Sequence, residues 1–371
     1  MRTSAVAGIV FANVNDNLLK KLTTKRSMAS VPFGGRYRLI DFALSNLVNA
    51  GVTNVGIITK ENYRSLMDHV GNGIYWDLDR KNGGLYVLPP YSTGGAKRYS
   101  GTVDALAGAK DYIKHCNSDY IVICNADVLA NVDVSSAIKA HIKNEADITV
   151  VYHKGTVFAN SGETMLLGLK GDRVTSVDFD SEGGAEAAFS IGITIVGREL
   201  LLRLVEGASE EEYTSFNREV IAKKIKQLKV CGFEHSEYVA FMNGTDSYFR
   251  ASMDLLDADV RRQLFNSERP VFTKTRDDMP TRYGTKAIVN NCFIADGCVI
   301  EGTVKNSVLF RGVKVEKGAV VENCILMQET KVGKETQLNN VISDKNAAIG
   351  DNMVLKGTAA KKFFIKKNQV L

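Results

Sequence analysis

The hydrophobic pattern of the first half of the chain alternates between short continuous apolar runs and amphipathic stretches. Residues 5–11, 55–58 and 120–124 are apolar runs of the length typical of strands buried on both faces. From position 40 to position 48 the apolar residues follow the i, i+3, i+4, i+7, i+8 spacing of a helix with one buried face, and Gly51 is placed to end that helix. This order predicts a βαβ unit in an α/β domain built on a parallel sheet.

Later segments extend the same pattern to residue 264. Apolar runs predict strands at 148–152, 165–169 and 191–196, and amphipathic stretches predict helices at 103–113, 198–205, 216–228 and 248–264. We therefore expect a first domain that spans residues 1–264.

The expected ligand site of such a sheet lies beyond the carboxyl ends of its strands. The loop that begins at Ala12 follows the first strand, and Asp127 follows the strand at 120–124. A carboxylate at this position is suited to hold a metal ion or a substrate hydroxyl. The alternative is that Asp127 only caps a turn, which is a common role of aspartate.

The period of the apolar residues changes after a segment that reads as a linker. Residues 265–284 contain Pro270 and Pro280, and 273–278 is charged and polar. In the domain from 285 to 371, apolar residues often recur six positions apart, as in the series Leu326, Val332 and Leu338. This spacing predicts short strands stacked in a parallel β-helix. One step between apolar positions is seven residues long, so periodicity alone does not exclude an all-β sandwich.

Composition limits the classes of function. The chain has 371 residues, 44% of them apolar, and a net charge of +5, which indicates a globular protein without the basic stripe of a nucleic-acid binder. No apolar run reaches the length of a membrane span, and no signal peptide is recognisable, so we expect a cytoplasmic protein. The six cysteines form no Cys-x-x-Cys pair and are expected to be reduced, with no metal site. A small anionic ligand or an acidic partner surface suits the charge.

Several sequence strings resemble the glucose-1-phosphate adenylyltransferase (ADP-glucose pyrophosphorylase) family. They are VPFGGRYRLIDFALSNLVNAG (31–51), HVGNGIYWDLDR (69–80), YSGTVDAL (99–106) and the stretch 293–330. The resemblance implies a Rossmann-like nucleotidyltransferase domain with a mixed, mainly parallel sheet, followed by a left-handed β-helix of hexapeptide repeats. It also implies a tetramer that makes ADP-glucose from ATP and glucose 1-phosphate for glycogen biosynthesis.

The first loop departs from the family pattern, which reads GGGxGTRLxPLTxxRAKPAVPFGG. Glycines in such a loop let backbone N–H groups approach phosphates, and cations neutralise the phosphate charge. Losing one of these phosphate contacts usually costs several kcal/mol of transition-state stabilisation. Aligned backwards from Pro32, the degenerate positions are Ala12, Asn13 and Val14 at the three glycines, Asp16 at a fourth glycine, Leu18 at the loop arginine, and Met28 at the lysine.

The metal site implied by the resemblance is also incomplete. Relatives clamp Mg²⁺ between two carboxylates. Asp127 matches the first, but the second position falls on Phe241, Met242 or Asn243. The lysine that contacts the sugar phosphate in the family has no counterpart near 180–183. We expect no catalytic residue beyond a vestigial Asp127, no metal site, and no firmly bound cofactor, with Mg²⁺ needed only by a catalytic partner.

Other parts of the family pattern are retained. Gly101, Thr102 and Asp104 keep the GTxDA string that in relatives lies beside the nucleotide and the sugar phosphate, which predicts a substrate-like pocket with Asp127. The alternative is structural, with Asp104 as a carboxylate at a helix start. Arg36, together with the retained Arg38 and with Lys97 and Arg98, is a candidate for an anion or effector site.

Retained scaffold strings beside a dismantled loop resemble the GlgD-type companion subunits of this family. The resemblance predicts a regulatory, catalytically impaired subunit that modulates a GlgC-type catalytic partner in a heterotetramer. A homo-oligomer and a phosphorylated metabolite as effector remain open. The alternatives are an independently active sugar-1-phosphate nucleotidyltransferase, a sugar-binding sensor, and an acyltransferase, although the last needs a histidine near the coils and none lies beyond His235.

Overall fold

The computed structural model describes residues 6–13, 15–90, 99–157, 164–179 and 183–371. An α/β domain comes first and a β-helix follows. The strands of the first domain are β1 (Val6–Phe11), β2 (Pro32–Phe33), β3 (Tyr37–Arg38), β4 (Asn54–Ile58), β5 (Gly84–Leu88), β6 (Tyr120–Asn125), β7 (Val128–Leu129), β8 (Ile148–Thr156), β9 (Leu166–Lys170), β10 (Arg173–Asp178), β11 (Glu186–Gly197), β12 (Val230–Glu234) and β13 (Ala240–Phe241). Its helices are α1 (Lys20–Thr23), α2 (Leu39–Asn49), α3 (Arg64–Val70), α4 (Thr102–Gly108), α5 (Lys110–His115), α6 (Val134–Lys143), α7 (Arg198–Glu210), α8 (Thr245–Asp254) and α9 (Ala258–Leu264).

The central sheet is mixed and has the strand order β5-β4-β1-β6-β11-β8-β12-β10-β9. Strands β5, β4, β1 and β6 are parallel, whereas β11 runs antiparallel to both of its main neighbours, β6 and β8. The pairing of β12 with β8 is also parallel, so the sheet is mixed, as the family resemblance implied. The four parallel strands matter for the site, because β1 and β6 end at the same edge, with Phe11 opposite Asn125.

The continuous apolar run of β1 reflects burial on both faces of the sheet. Ile9 packs in a core cluster with α4, α5 and α7, and Val10 packs in a second cluster with α2 and α6. Both side chains are fully buried. A strand covered on two sides has no polar face, so its sequence shows no alternation.

Two predicted helices are each divided into two. The helix expected at 103–113 ends at Gly108 and restarts at Lys110, and the helix expected at 248–264 is interrupted between α8 and α9. At the second break the Asp257 side chain accepts a hydrogen bond from the backbone N–H of Asp259 at 2.7 Å, which caps α9. The stretch expected to be helical at 216–228 has one π-helical segment, Phe216–Ile221, followed by turns.

The second domain is a parallel β-helix of the left-handed hexapeptide class. Lys314 pairs with Lys331, which pairs with Ala348, so a coil returns to the same position after 17 residues, one short of three hexapeptides. This shortfall explains the imperfect period. The strands are β14 (Arg282–Tyr283), β15 (Ile288–Ile294), β16 (Val299–Ile300), β17 (Thr303–Leu309), β18 (Lys314–Val315), β19 (Val320–Glu322), β20 (Ile325–Leu326), β21 (Lys331–Val332), β22 (Gln337–Asn339), β23 (Val341–Ser343), β24 (Ala348–Ile349), β25 (Val354–Lys356) and β26 (Phe363–Ile365).

Asparagines form one corner of successive coils. Asn306, Asn323 and Asn340 have φ angles of 44°, 51° and 53°. Asparagine adopts this left-handed conformation more readily than other side-chain-bearing residues. The repeated corner therefore fixes where each coil turns.

The β-helix packs on the first domain through one row of outward-facing side chains. The strand registers stack Phe293, Val308, Ile325, Ile342 and Phe364 above one another. These side chains share a hydrophobic cluster with residues of the first domain, among them Met28, Phe33 and Tyr248. One core thus spans the junction of the two domains.

The expected linker runs as an extended strap along the first domain. The backbone N–H of Phe272 donates to Ser45 Oγ on α2 at 2.9 Å, and Asn131 Nδ2 donates to the Arg269 carbonyl at 2.8 Å. These bonds place the charged part of the strap beside α2 and α3. Among the helices in the described ranges, none has the length and apolar content needed to cross a bilayer.

Candidate functional site

A small cavity lies at the carboxyl ends of β1 and β6, where the sequence places the site. Its volume is about 90 Å³. Among the described residues, the lining contains one acidic residue, Asp127, and no lysine, arginine or histidine. The other lining side chains are amides and hydroxyls or apolar groups: Asn15, Thr102, Asn125, Thr164, Ser190, Thr194, Ser215, Asn217 and Asn243, with Phe11, Leu18, Leu106, Ile123, Met165, Phe216, Phe241 and Met242, around Gly192.

The loop after β1 is held by hydrogen bonds of residues that differ from the family pattern. Asn13 Nδ2 donates to Asp16 Oδ2 at 2.6 Å, and the backbone N–H of Met28 donates to Asp16 Oδ1 at 2.8 Å. The backbone N–H of Lys60 donates to Asn13 Oδ1 at 2.9 Å. Burial raises the pKa of Asp16, although the hydrogen bonds from Asn13 and Met28 oppose this. Two backbone donors that border the loop are therefore already occupied.

The two positions at which the resemblance implies cations are occupied by packed apolar side chains. Leu18 lines the small cavity, so the place of the family's loop arginine is apolar. Met28 is fully buried in the core shared with the β-helix. Ala12 is also buried, and its N–H donates to the Ile58 carbonyl at 3.0 Å. Val14 lies outside the described residues.

Asp127 is a buried carboxyl group with one satisfied oxygen. Asn15 Nδ2 donates to Asp127 Oδ2 at 2.8 Å. The other oxygen, Oδ1, is buried and accepts no hydrogen bond within the described part of the chain. Burial raises the pKa of Asp127 to about 6, and the hydrogen bond from Asn15 only partly opposes this shift.

The strand that faces Asp127 carries no second carboxylate. In the β13–β7 pair, Phe241 lies opposite Val128, and the backbone N–H of Met242 donates to the Asp127 carbonyl at 2.9 Å. Met242 is buried, and Asn243 lines the cavity. Within the described residues no three acidic, histidine or cysteine side chains are grouped so as to hold a metal ion. Asp127 is therefore the one acidic ligand that the described lining offers to a metal ion.

Of the three residues retained from the GTxDA string, only one lines the cavity. Thr102 lines the cavity, where its Oγ1 accepts a hydrogen bond from the Phe216 N–H at 2.8 Å. Gly101 lies against the backbone of Thr214, and a Cβ there would overlap the Thr214 carbonyl oxygen. Asp104 is exposed, and its carboxylate accepts from the Ser100 N–H at 3.0 Å. Thr102 and Asp127 thus share the cavity, while Gly101 and Asp104 lie outside its lining.

A second cavity of about 370 Å³ lies between the two domains and is lined by cations. It unites the predicted residues Arg36 and Arg38 with cations that sequence reasoning missed. Those cations come from the strap and the β-helix: Lys274, Arg276, Arg311 and Lys345. The charged composition of segment 273–278 was the one sequence feature that indicated cations from outside the first domain. The other two predicted anion-site residues, Lys97 and Arg98, lie outside the described residues.

The cations of this interdomain cavity differ in how strongly they are paired. Arg36 contacts Asp296 of the β-helix at 2.9 Å, and both side chains are exposed. Arg38 Nη1 donates to Ser65 Oγ at 2.9 Å, and burial lowers the pKa of Arg38 to about 10. Burial and, secondarily, the nearby arginines Arg38 and Arg26 lower the pKa of Lys345 to about 7. An anion bound beside Lys345 would favour its charged form and so oppose this lowering of its pKa.

A nucleotidyltransferase-like domain joined to a hexapeptide β-helix is the class that this fold and site define. The family model described as "Nucleotidyl transferase" matches residues 17–161, and the model described as "GlmU-like, C-terminal hexapeptide" matches residues 277–367. The two matches fall on the two domains.

Full-length relatives define the family. The chain is 36% identical to "Glycogen biosynthesis protein GlgD" of Bacillus subtilis (strain 168), over 100% of this chain and 98% of that protein. It is 38% identical to the GlgD protein of Geobacillus stearothermophilus, over 98% and 96% of the two chains. It is 33% identical to "Glucose-1-phosphate adenylyltransferase" of the same organism, over 87% and 84%. The chain belongs to the family of GlgD proteins and glucose-1-phosphate adenylyltransferases, which confirms the resemblance.

Proposed function

We propose that the protein is a regulatory, catalytically impaired subunit of ADP-glucose pyrophosphorylase. In this role it acts in glycogen biosynthesis in the cytoplasm by modulating a GlgC-type catalytic partner, which supplies the Mg²⁺ site, within a heterotetramer. One observation carries the proposal: the cavity at the ends of β1 and β6 has a single carboxylate and no cation in its described lining.

The chemistry of adenylyl transfer explains why this observation matters. Transfer from ATP to a sugar phosphate depends on positive groups and metal ions placed against the phosphate oxygens. Asp127 has no acidic partner on the facing strand, and Leu18 is apolar where a cation is needed. The cavity of about 90 Å³ is also far smaller than the roughly 300 Å³ of a typical ligand pocket.

The names of the relatives support a role in glycogen biosynthesis. Two of them are called glycogen biosynthesis proteins, and a third is called an adenylyltransferase. The sequence similarity to these three relatives extends over 87% to 100% of this chain. A preserved scaffold beside an incomplete site is the pattern expected of a subunit that acts through its partner.

The proposal predicts that ADP-glucose formation by the isolated chain is negligible. With saturating ATP, glucose 1-phosphate and Mg²⁺, its turnover should be at least about 10⁴-fold below that of the catalytic partner, because several transition-state contacts are absent. Adding the chain to the partner should change the partner's kcat or its response to effectors. Pyrophosphate release, measured for each protein and for their mixture, tests both expectations.

An independently active nucleotidyltransferase is the competing outcome of the same assay. Robust turnover by the isolated chain that disappears in Asp127→Asn would establish this alternative and exclude the proposed function. Turnover that survives in Asp127→Asn would instead indicate a contaminating enzyme. A mixture that behaves as the sum of its two components would also contradict the regulatory role.

The regulatory role extends to the cavity between the domains, which we propose as the site of a phosphorylated metabolite. Six cations from the first domain, the strap and the β-helix line this cavity, together with one carboxylate, Asp68. Three of these cations also pair with acidic residues outside the lining: Arg36 with Asp296, and Arg276 and Arg311 with Asp278. An anion bound between them would contact both domains at once. A ligand that bridges two domains stabilises one relative placement of them, which is a physical basis for transmitting a signal.

Anion binding at this cavity should be linked to protonation of Lys345. Because the pKa of Lys345 is about 7, the side chain is mostly neutral at pH 9, and a bound anion favours the charged form. Affinity should therefore fall as the pH rises. Sulfate is the suitable probe, since its own charge is constant in this range, and its affinity should weaken by about tenfold or more between pH 7 and pH 9.

Isothermal titration calorimetry with sulfate at several pH values measures this linkage. In Lys345→Gln the affinity should be low and independent of pH. The matched control is Lys331→Gln, which removes an exposed lysine of the β-helix outside the cavity and should keep the pH dependence of the parent. A pH-independent affinity in the parent protein would refute the assignment of Lys345.

A further inference from the structure

A third concave surface lies between α1 and the last coil of the β-helix, apart from the two cavities already described. It has a volume of about 820 Å³. Two basic segments far apart in the sequence form its walls, KKLTTKR (20–26) and KKFFIKK (361–367), and together they contribute seven lysines to the lining. We call this surface the lysine groove.

The lysines of the groove have no carboxylate to neutralise them within the described residues. Asp344 is the one acidic residue in the lining. Both of its oxygens already accept from Arg26 Nη2, at 2.8 and 2.9 Å, and this ion pair is buried. The positive charge of the groove therefore remains available to a ligand.

The floor of the groove is apolar. Leu22, Phe363 and Phe364 contribute to its lining. The Phe363 side chain is 37% exposed, and the ammonium group of Lys21 lies 5.6 Å from the centre of the Phe364 ring. An inorganic anion would use the lysines but not this floor. A ligand that combines negative charge with an apolar side chain would use both.

The groove is lined by residues of β26, which lies at a sheet edge that no other described strand extends. β26 is the last strand of its sheet, where it pairs with β23. Such an edge offers unpaired backbone groups to another extended chain, and flanking lysines repel a second copy that carries the same charges. Lys361, Lys362, Lys366 and Lys367 flank β26 in this way. The same lysines attract an extended segment of opposite charge.

We propose that the lysine groove binds an extended acidic segment of a partner protein, one that carries an aromatic or aliphatic side chain for the apolar floor. The volume suits a peptide rather than a single phosphate group. Its concave shape and the adjacent strand edge suit a chain rather than a flat lipid surface. This inference goes beyond the proposed function and does not depend on it.

Selection from a phage-displayed library of random 12-residue peptides on the immobilised full-length chain tests the proposal. Peptides rich in Asp and Glu with at least one aromatic or aliphatic residue should be enriched. Their affinity, measured by fluorescence anisotropy, should fall at higher salt because the contacts are partly exposed charges. A polyglutamate peptide without apolar residues should bind at least about tenfold more weakly.

Three variants locate the binding site. A charge variant replaces exposed lysines of the groove by serine, and a matched control replaces the same number of exposed lysines on the β-helix outside the groove. The charge variant carries Lys20→Ser, Lys25→Ser, Lys361→Ser and Lys366→Ser, and the control carries Lys286→Ser, Lys305→Ser, Lys314→Ser and Lys331→Ser. The selected peptides should bind the charge variant and Phe363→Ser at least about tenfold more weakly. They should bind the control within about twofold of the parent. Equal thermal unfolding midpoints verify that all three variants fold.

Other outcomes would overturn the proposal. Enriched peptides without acidic residues, or affinities that are the same for the charge variant and the parent, would exclude the lysine groove as the acidic docking site. Equal binding of polyglutamate would show that the apolar floor has no role in recognition. If no peptide is enriched and vesicles containing phosphatidylglycerol bind the parent but not the charge variant, the groove recognises a lipid surface instead.

Discussion

Replacing Gly101 by alanine is expected to lower the free energy of unfolding by about 3 kcal/mol, because the new methyl group has no space. The added Cβ would lie 2.7 Å from the carbonyl carbon of Thr214 and still closer to its oxygen. That oxygen also accepts the N–H of Val103 at 3.1 Å, so it cannot move without breaking a bond at the start of α4. Urea unfolding measures the change.

Gly207→Ala is the matched control for this prediction. Gly207 lies inside α7, and a Cβ there meets no atom within 4 Å. Alanine should be neutral or should stabilise the helix by roughly 0.5–1 kcal/mol. If Gly101→Ala unfolds like the parent but abolishes the effect on a catalytic partner, then Gly101 is kept for function and the structural explanation is wrong.

Replacing Asp127 by asparagine is expected to stabilise the protein at neutral pH. Because its pKa is raised to about 6 in the folded state, the folded chain binds a proton more tightly than the unfolded chain does. The stability of the parent therefore falls as the pH rises from about 4 to about 6. Asparagine cannot ionise, so Asp127→Asn should be more stable by roughly 2 kcal/mol at pH 7.5 and by much less at pH 4.

Chemical unfolding of parent and variant at pH 4, 5, 6 and 7.5 checks this pH dependence. Asp277→Asn serves as the control, because Asp277 is an exposed carboxylate of the strap. The free energies of unfolding of the control and the parent should change with pH in nearly the same way. Loss of stability in Asp127→Asn at every pH would mean that the carboxylate is stabilised by a bound group, which would also weaken the proposal that the site is vestigial.

The sequence predicts the part of the fold that depends on local pattern. The βαβ unit around α2, the run of β6 and the hexapeptide coils were all visible as periods, and Asp127 was placed at the correct strand end. The breaks within the two divided helices were not visible, because a helix period continues across a short interruption such as the one at Asp257. Likewise, a run such as that of β11 does not reveal strand direction.

The candidate sites show the same division between local and long-range information. The replaced loop residues were identified from their spacing to Pro32, but their partners were not. The sequence identified Asp16 only as a replaced glycine, whereas its carboxylate accepts hydrogen bonds from Asn13 and Met28 and closes the loop. The interdomain cations could not be assembled either, because Lys345 reaches Arg38 only after the β-helix has folded against the first domain.

The shared core at the junction has a consequence for how the two domains can be separated. The row that includes Val308, Ile325 and Ile342 covers Met28 and Tyr248 of the first domain. A shortened chain that ends before the β-helix would expose this apolar surface to water, and so would a β-helix prepared alone. The domains are therefore not interchangeable modules: grafting either one onto a relative requires transplanting its facing surface along with it.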